Sequence, residues 1–118
     1  MRCNTCSRVC WVNQAPFYIL RPEAIESLFI LHQLTGNPIY REWGWEMFQA
    51  IDQHCKVEYG YGAYPDVRQE GRVPDDRMES FWIAETLKYH YLLQSPDHDI
   101  SLERYTFNTE AHPLSMFQ

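Results

Sequence analysis

The sequence predicts an all-α chain, and three observations carry that reading. Pro22 is followed by Ile25, Leu28, Phe29 and Leu34 at helical spacing. A second stretch, from about 38 to 54, sets Tyr40, Trp43, Met47, Phe48 and Ile51 three and four apart, which makes one apolar stripe. A third, roughly 77 to 94, carries apolar or aromatic groups on nearly every side.

Each element has a local cause. The first helix starts at Pro22 because the N–H that proline lacks is unpaired in a first turn anyway. Thr35-Gly36-Asn37-Pro38 stops it. The second helix follows directly and is expected to bury its stripe. Gly60, Gly62 and Pro65 then break the pattern, leaving a loop or short hairpin to about 74. Asp75 or Asp76 is placed to cap the third helix. That helix carries Met78, Phe81, Trp82, Ile83, Leu87, Tyr91, Leu92 and Leu93, and a helix apolar all round has to be covered all round. Two other helices of this length do not suffice, so much of its packing partner is expected to lie outside the chain.

At 118 residues the chain holds one ordinary domain. Hydrophobic residues at 45% and aromatics at 15% make it globular rather than disordered. A net charge of -6 argues against a nucleic-acid partner, which needs a basic patch; neutral sugars or cations fit better. No run approaches the roughly 18 apolar residues of a membrane span, and the N-terminus lacks the apolar core of a signal peptide. Cys3, Cys6 and Cys10 crowd the start while Cys55 stands alone. The three close thiols begin a zinc site only if a distant Cys or His supplies a fourth ligand. The other reading of residues 1–16 is an unstructured leader.

Three acidic stretches carry the chemistry: LRPEAIES at 20–27, MESFWIAETLKY at 78–89 and FNTEAHP at 107–113. Glu23 and Glu26 lie three apart at the start of a helix, on one face and near the positive end of its dipole, which favours the ionised form. An ionised carboxylate suits a general base acting on water. Acidic residues in a first turn also serve simply as helix stabilisers. Phe81 and Glu85 lie one turn apart, an aromatic face beside an acid that can hold a pyranose. Alternatively Phe81 is core and Glu85 pairs with Lys88. Thr109 and Glu110 read locally as strand or turn. His112 reads as structural, since hard cations prefer oxygen.

Taken in this order, the three stretches resemble the C-terminal part of the class I α-1,2-mannosidases, glycoside hydrolase family 47, from about Tyr18 to Leu114. TGNPIYREWGWEMFQAI, between the first two, is also similar to the family. The resemblance implies an (αα)7 barrel of seven helix pairs, of which residues 17–118 supply the last helices. YTFNTEAHP fits one strand of a short C-terminal β-hairpin that plugs the barrel in the family. The implied activity is calcium-dependent hydrolysis of terminal α-1,2-mannose from high-mannose N-glycans with inversion. The implied location is the lumen of the endoplasmic reticulum or Golgi, usually behind a membrane anchor, with secretion in some relatives. Since no such address is read here, an N-terminal truncation is expected.

Residue by residue, the resemblance makes Glu23 the general base and Arg21 a substrate contact. It gives Phe81 and Glu85 to the sugar. Thr109 binds Ca2+ through its hydroxyl and its carbonyl, while Glu23, Glu26, Glu85 and Glu110 hold surrounding waters or sugar hydroxyls. Inversion needs an acid and a base on opposite faces of the sugar, about 6.5–9.5 Å apart. Glu23 and Glu26 share a helix face and are not that pair. The family's other catalytic carboxylates lie on upstream loops, so this chain alone is expected to be inactive. Two other readings stand beside this one: a non-catalytic mannose-binding, lectin-like member acting in glycoprotein quality control, and a cytosolic thiol or zinc protein built around Cys3, Cys6 and Cys10.

Overall fold

Helix α1 spans Glu23–Thr35, with Pro22 immediately before it, so the proline marks the start within one residue. The computed structural model describes residues 15–95 and 100–117; Cys3, Cys6 and Cys10 lie outside them. Gly36 ends α1 in the left-handed region at φ 65°, where glycine pays no Cβ penalty, and its N–H reaches the His32 carbonyl at 2.8 Å. The side chain of Asn37 then accepts the Ile39 N–H at 3.0 Å, and α2 runs over Ile39–His54.

A short hairpin follows: β1, Lys56–Val57, pairs antiparallel with β2, Gly60–Tyr61. The third helical run opens as a π-helical turn over Trp82–Leu87 and continues as α3, Lys88–Gln94. A second hairpin closes the chain. Strand β3, Tyr105–Phe107, pairs antiparallel with β4, Pro113–Ser115, with Thr106 opposite Leu114. Both strands of this hairpin are therefore present, where the sequence suggested one.

The three helices meet at Gly44. A Cβ there would lie 2.5 Å from Leu93 Cδ2 and 3.1 Å from Ile25 Cδ1, so only a bare backbone lets α2 approach the other two this closely. The contact is locked by a reciprocal pair: Arg41 Nη2 donates to the Gln94 carbonyl at 2.6 Å, and Gln94 Nε2 donates to the Arg41 carbonyl at 2.8 Å. One core cluster joins Ile25 and Phe29 of α1 to Tyr89, Leu92 and Leu93 of α3 and to Ala111 of the C-terminal hairpin. Phe29 packs on Tyr89 and edge-on to Phe107, at centroid distances of 5.7 and 5.8 Å. A second cluster gathers Leu20, Ile51, Cys55, Tyr64 and Trp82. Fully burying an aromatic such as Phe29 is worth about 1.5–3 kcal/mol.

Several sequence expectations are corrected here. Trp43, read as buried in the stripe of the second helix, is 48% exposed, because the described chain does not cover that side of α2. Neither Asp75 nor Asp76 caps the third helix, which begins only near Ser80. The Asp75 N–H is tied back to the Ala63 carbonyl at 2.8 Å, and Arg77 pairs with Glu79, which keeps this segment out of the helix. The π turn is not visible in the apolar spacing. Of the apolar groups around the third helix, Met78, Ile83 and Tyr91 are exposed.

Candidate functional site

Glu85 sits in the π turn, half-buried between Ala84 and the fully buried Thr86. A π turn carries one extra residue per turn and is often found at functional sites. Two neighbours of Glu85 on the same helix reach out to the other motif segments. On one side, the Thr86 hydroxyl donates to the carbonyl of Leu20 at 2.6 Å, which fixes the start of the Arg21-Pro22-Glu23 segment. On the other, Lys88 Nζ donates to the carbonyl of Ala111 at 2.8 Å, which fixes the turn carrying Thr109 and Glu110.

The first segment is held further by Tyr18. Its backbone exchanges hydrogen bonds with Tyr64 at 2.9 and 2.7 Å, and its phenol donates to the Arg21 carbonyl at 3.4 Å. Burial first, then the nearby Cys55 and Glu23, pushes the Tyr18 phenol well above its usual range, so it stays a donor. Arg21 Nη1 lies 3.4 Å from Glu23 Oε1, and both side chains are exposed. An exposed pair of this kind holds weakly, so Arg21 is free to exchange that contact for another oxygen.

The second segment is an asparagine-centred turn. Asn108 Oδ1 accepts the N–H groups of Glu110 at 3.0 Å and His112 at 2.9 Å, and the Ala111 N–H returns to the Asn108 carbonyl at 3.0 Å. His112 is exposed, and this backbone bond is its part in the turn.

Three other carboxylates act on Glu85 through their charge. The Glu85 acid is raised above its ordinary value, first by burial, then by the charges of Glu110, Glu23 and Glu26, with Lys88 opposing. Glu26 also accepts a hydrogen bond from the Tyr89 phenol at 3.4 Å. That phenol is itself raised, by burial and then by Glu26. Among the described residues no ion pair joins Glu85 to Lys88, whose ammonium goes to Ala111 instead, so the simple pairing of those two is set aside. Phe81 stands four residues before Glu85 and is half-buried against the cluster around Leu20 and Trp82. It serves the core and still presents part of its ring.

Thr109 is exposed in the turn next to Glu110. Among the described residues no group of three or more His, Cys, Asp or Glu side chains is spaced to hold a metal. Thr109 presents a hydroxyl and a backbone carbonyl at an exposed position, oxygens of the kind a hard cation takes when waters complete its six to eight ligands. A hollow lined by Tyr18, Ile51, His54, Cys55 and Tyr64 involves none of the four carboxylates. Burial pushes the Cys55 thiol in it up to about 11, which leaves the thiol protonated and unreactive.

Sequence reasoning missed Tyr18, Thr86 and Tyr89. Tyr89 stands one turn from Glu85 and was open to detection by helical spacing. Lys88 was named from spacing only as a partner for Glu85, and neither its bond to Ala111 nor that of Thr86 to Leu20 carried a signal, since those partners lie 23 and 66 residues away.

The model of glycosyl hydrolase family 47 matches residues 3–116. The chain is 55% identical over 98 residues to mannosyl-oligosaccharide 1,2-alpha-mannosidase MNS1 of Arabidopsis thaliana, covering 83% of this chain and 17% of that protein. It is 52% identical over 98 residues to the human mannosyl-oligosaccharide 1,2-alpha-mannosidase IC, covering 83% and 16%. The structure of the alpha-1,2-mannosidase from Trichoderma reesei superposes with a TM-score of 0.81 at 42% identity, over 86% of this chain and 22% of that one. The chain thus spans a small part of the length of the relatives it matches. With the family model covering nearly all of it and the fold agreeing, the chain belongs to glycosyl hydrolase family 47.

Proposed function

We propose that these residues form the C-terminal part of an α-1,2-mannosidase that removes terminal α-1,2-linked mannose from high-mannose N-glycans with inversion. The convergence of Glu23, Glu26 and Glu110 on Glu85 carries the reading, and relatives named as mannosidases support it. In the complete enzyme the helices belong to an (αα)7 barrel, with the β3–β4 hairpin at its floor. The lumen of the endoplasmic reticulum or Golgi, with a membrane anchor on the parent protein, fits the glycan substrate.

Glu23 acts as general base: exposed at the start of α1, it draws a proton from the water that attacks the anomeric carbon. Arg21 holds a substrate hydroxyl in place of its weak contact with Glu23. Phe81 offers its ring to the apolar face of the sugar, and Glu85 accepts from hydroxyls. Glu26 and Glu110 orient waters around the ion site, Glu26 itself being steadied by Tyr89. Thr109 would hold Ca2+, which supplies charge and coordination positions for sugar hydroxyls. The general acid comes from outside this chain, so residues 1–118 alone bind weakly and do not turn over.

The test is incubation of the complete polypeptide, the longer enzyme of which residues 1–118 are here proposed to be the C-terminal part, with a high-mannose N-glycan, following released mannose by NMR. The β-anomer appearing first, with activity lost on calcium chelation and restored by Ca2+, is the expected result. No mannose release would overturn the assignment, and release of the α-anomer would overturn inversion. Glycan binding without any release would favour the lectin-like reading.

A further inference from the structure

We propose that Thr86 and Lys88 are positioning residues that bring the Arg21-Pro22-Glu23 segment and the Thr109-Glu110 turn into register with Glu85. The inference rests on the glycosidase reading above, and it extends that reading to two residues that do not touch the sugar.

The geometry behind it is specific. Thr86 follows Glu85 directly and Lys88 follows it by three, so both hydrogen bonds leave the same stretch of helix as the acid they serve. The carbonyl taken by Thr86 belongs to Leu20, at φ 65°, and the carbonyl taken by Lys88 belongs to Ala111, at φ 55°. Among the described residues these are the non-glycine positions with positive φ. In each the Cβ crowds the neighbouring carbonyl oxygen, a steric cost that glycine would escape, and both are fully buried. Side chains over-determine such conformations at sites where precise placement matters. Here each strained residue stands next to a motif: Leu20 precedes Arg21, and Ala111 follows Glu110.

The chemistry of the two donors suits the task. Thr86 is wholly buried, so its hydroxyl has no water to compete for it. Lys88 gives its ammonium to a backbone carbonyl rather than to the acid one turn away, holding the turn while moderating the charge gathered around Glu85.

The test uses Thr86→Val and Lys88→Met in the complete polypeptide, with Thr86→Ser and Lys88→Arg as conservative partners. Thr86→Val shifts the general base, so kcat per folded molecule falls roughly tenfold to a hundredfold with little change in KM or calcium requirement. Lys88→Met loosens the Thr109 turn, so the calcium concentration for half-maximal activity rises about tenfold or more. The conservative variants recover each property. If both substitutions act only through thermal stability, with kcat per folded molecule and calcium requirement unchanged, the inference is overturned.

Amide exchange separates the clamp from the proposed activity. Thr86→Val should speed exchange at Glu26, in the first turn of α1, and leave Ala111 and His112 alone; Lys88→Met should do the reverse. Were the unsubstituted polypeptide to release no mannose, the glycosidase reading would fall while this exchange pattern still judged the clamp. Exchange unchanged at both places refutes it.

Discussion

The Thr86 hydroxyl donates to the Leu20 carbonyl at 2.6 Å across 66 residues of sequence, and Thr86 immediately follows Glu85. The first and second acidic motifs are therefore joined through one wholly buried hydrogen bond. Removing a buried partner leaves the carbonyl to bear its desolvation cost of about 1–3 kcal/mol, so this bond helps hold the fold as well as the site.

The catalytic assignment of Glu23 is tested by Glu23→Gln in the complete polypeptide. Glu23 is exposed and outside both core clusters, so folding should be preserved. Mannose release should fall roughly a hundredfold to ten-thousandfold, the usual worth of a general base. Steady-state kinetics check this, with circular dichroism as the folding control; near-normal kcat would remove Glu23 from the role.

His90 gives a pH-dependent prediction. It is buried, both ring nitrogens lack a hydrogen-bond partner among the described residues, and the Phe48 ring meets it edge-on at 5.5 Å. Burial lowers its pKa from 6.5 to about 4. Between those values the unfolded chain binds a proton that the folded chain does not, so stability is full above about 6.5 and declines as pH falls toward 4. His90→Phe should flatten that part of the profile. Denaturant midpoints at pH 7, 5.5 and 4.5 measure it, and equal acid sensitivity in the two proteins would count against this picture.

Gly44→Ala sets two effects against each other. Alanine is the better helix former by about 1 kcal/mol, yet its methyl would sit 2.5 Å from Leu93 Cδ2. Overpacking costs typically about 1–3 kcal/mol, so the variant should be less stable overall, by urea denaturation. A gain in stability would mean that α2 and α3 have slack.

Cys55 should be silent toward thiol reagents in the native protein. Its thiol is 3% exposed and raised to about 11, so at pH 8 it is neither accessible nor ionised. Mass spectrometry of the Cys55 peptide after alkylation should show modification only when denaturant is present.

Much of the helical framework was legible because its signals are local. Pro22, Gly36 and Pro38 punctuate α1 and α2 within a residue or so, and the Gly60 turn marks a hairpin. The burial of Trp43 was misread because spacing says which residues share a face, not whether another element covers it. The cap at Asp75 or Asp76 failed since a contact with Ala63 outweighed a good local signal. At the site, Glu23, Glu26, Phe81, Glu85, Thr109 and Glu110 were selected through motif resemblance. The bonds that tie the three motif segments together, from Thr86 to Leu20 and from Lys88 to Ala111, span distances in sequence that no periodicity reports.

The two left-handed residues have a consequence for how the site comes into being. Leu20 and Ala111 both have their carbonyls gripped by a side chain of the helix, and on the inference above they keep that backbone only while the grip lasts. Released, each would relax to the common right-handed or extended basins and turn the adjoining motif in a different direction. Graded loosening is thus disfavoured at both ends: the constellation snaps together or disperses, in the manner of a latch rather than a spring.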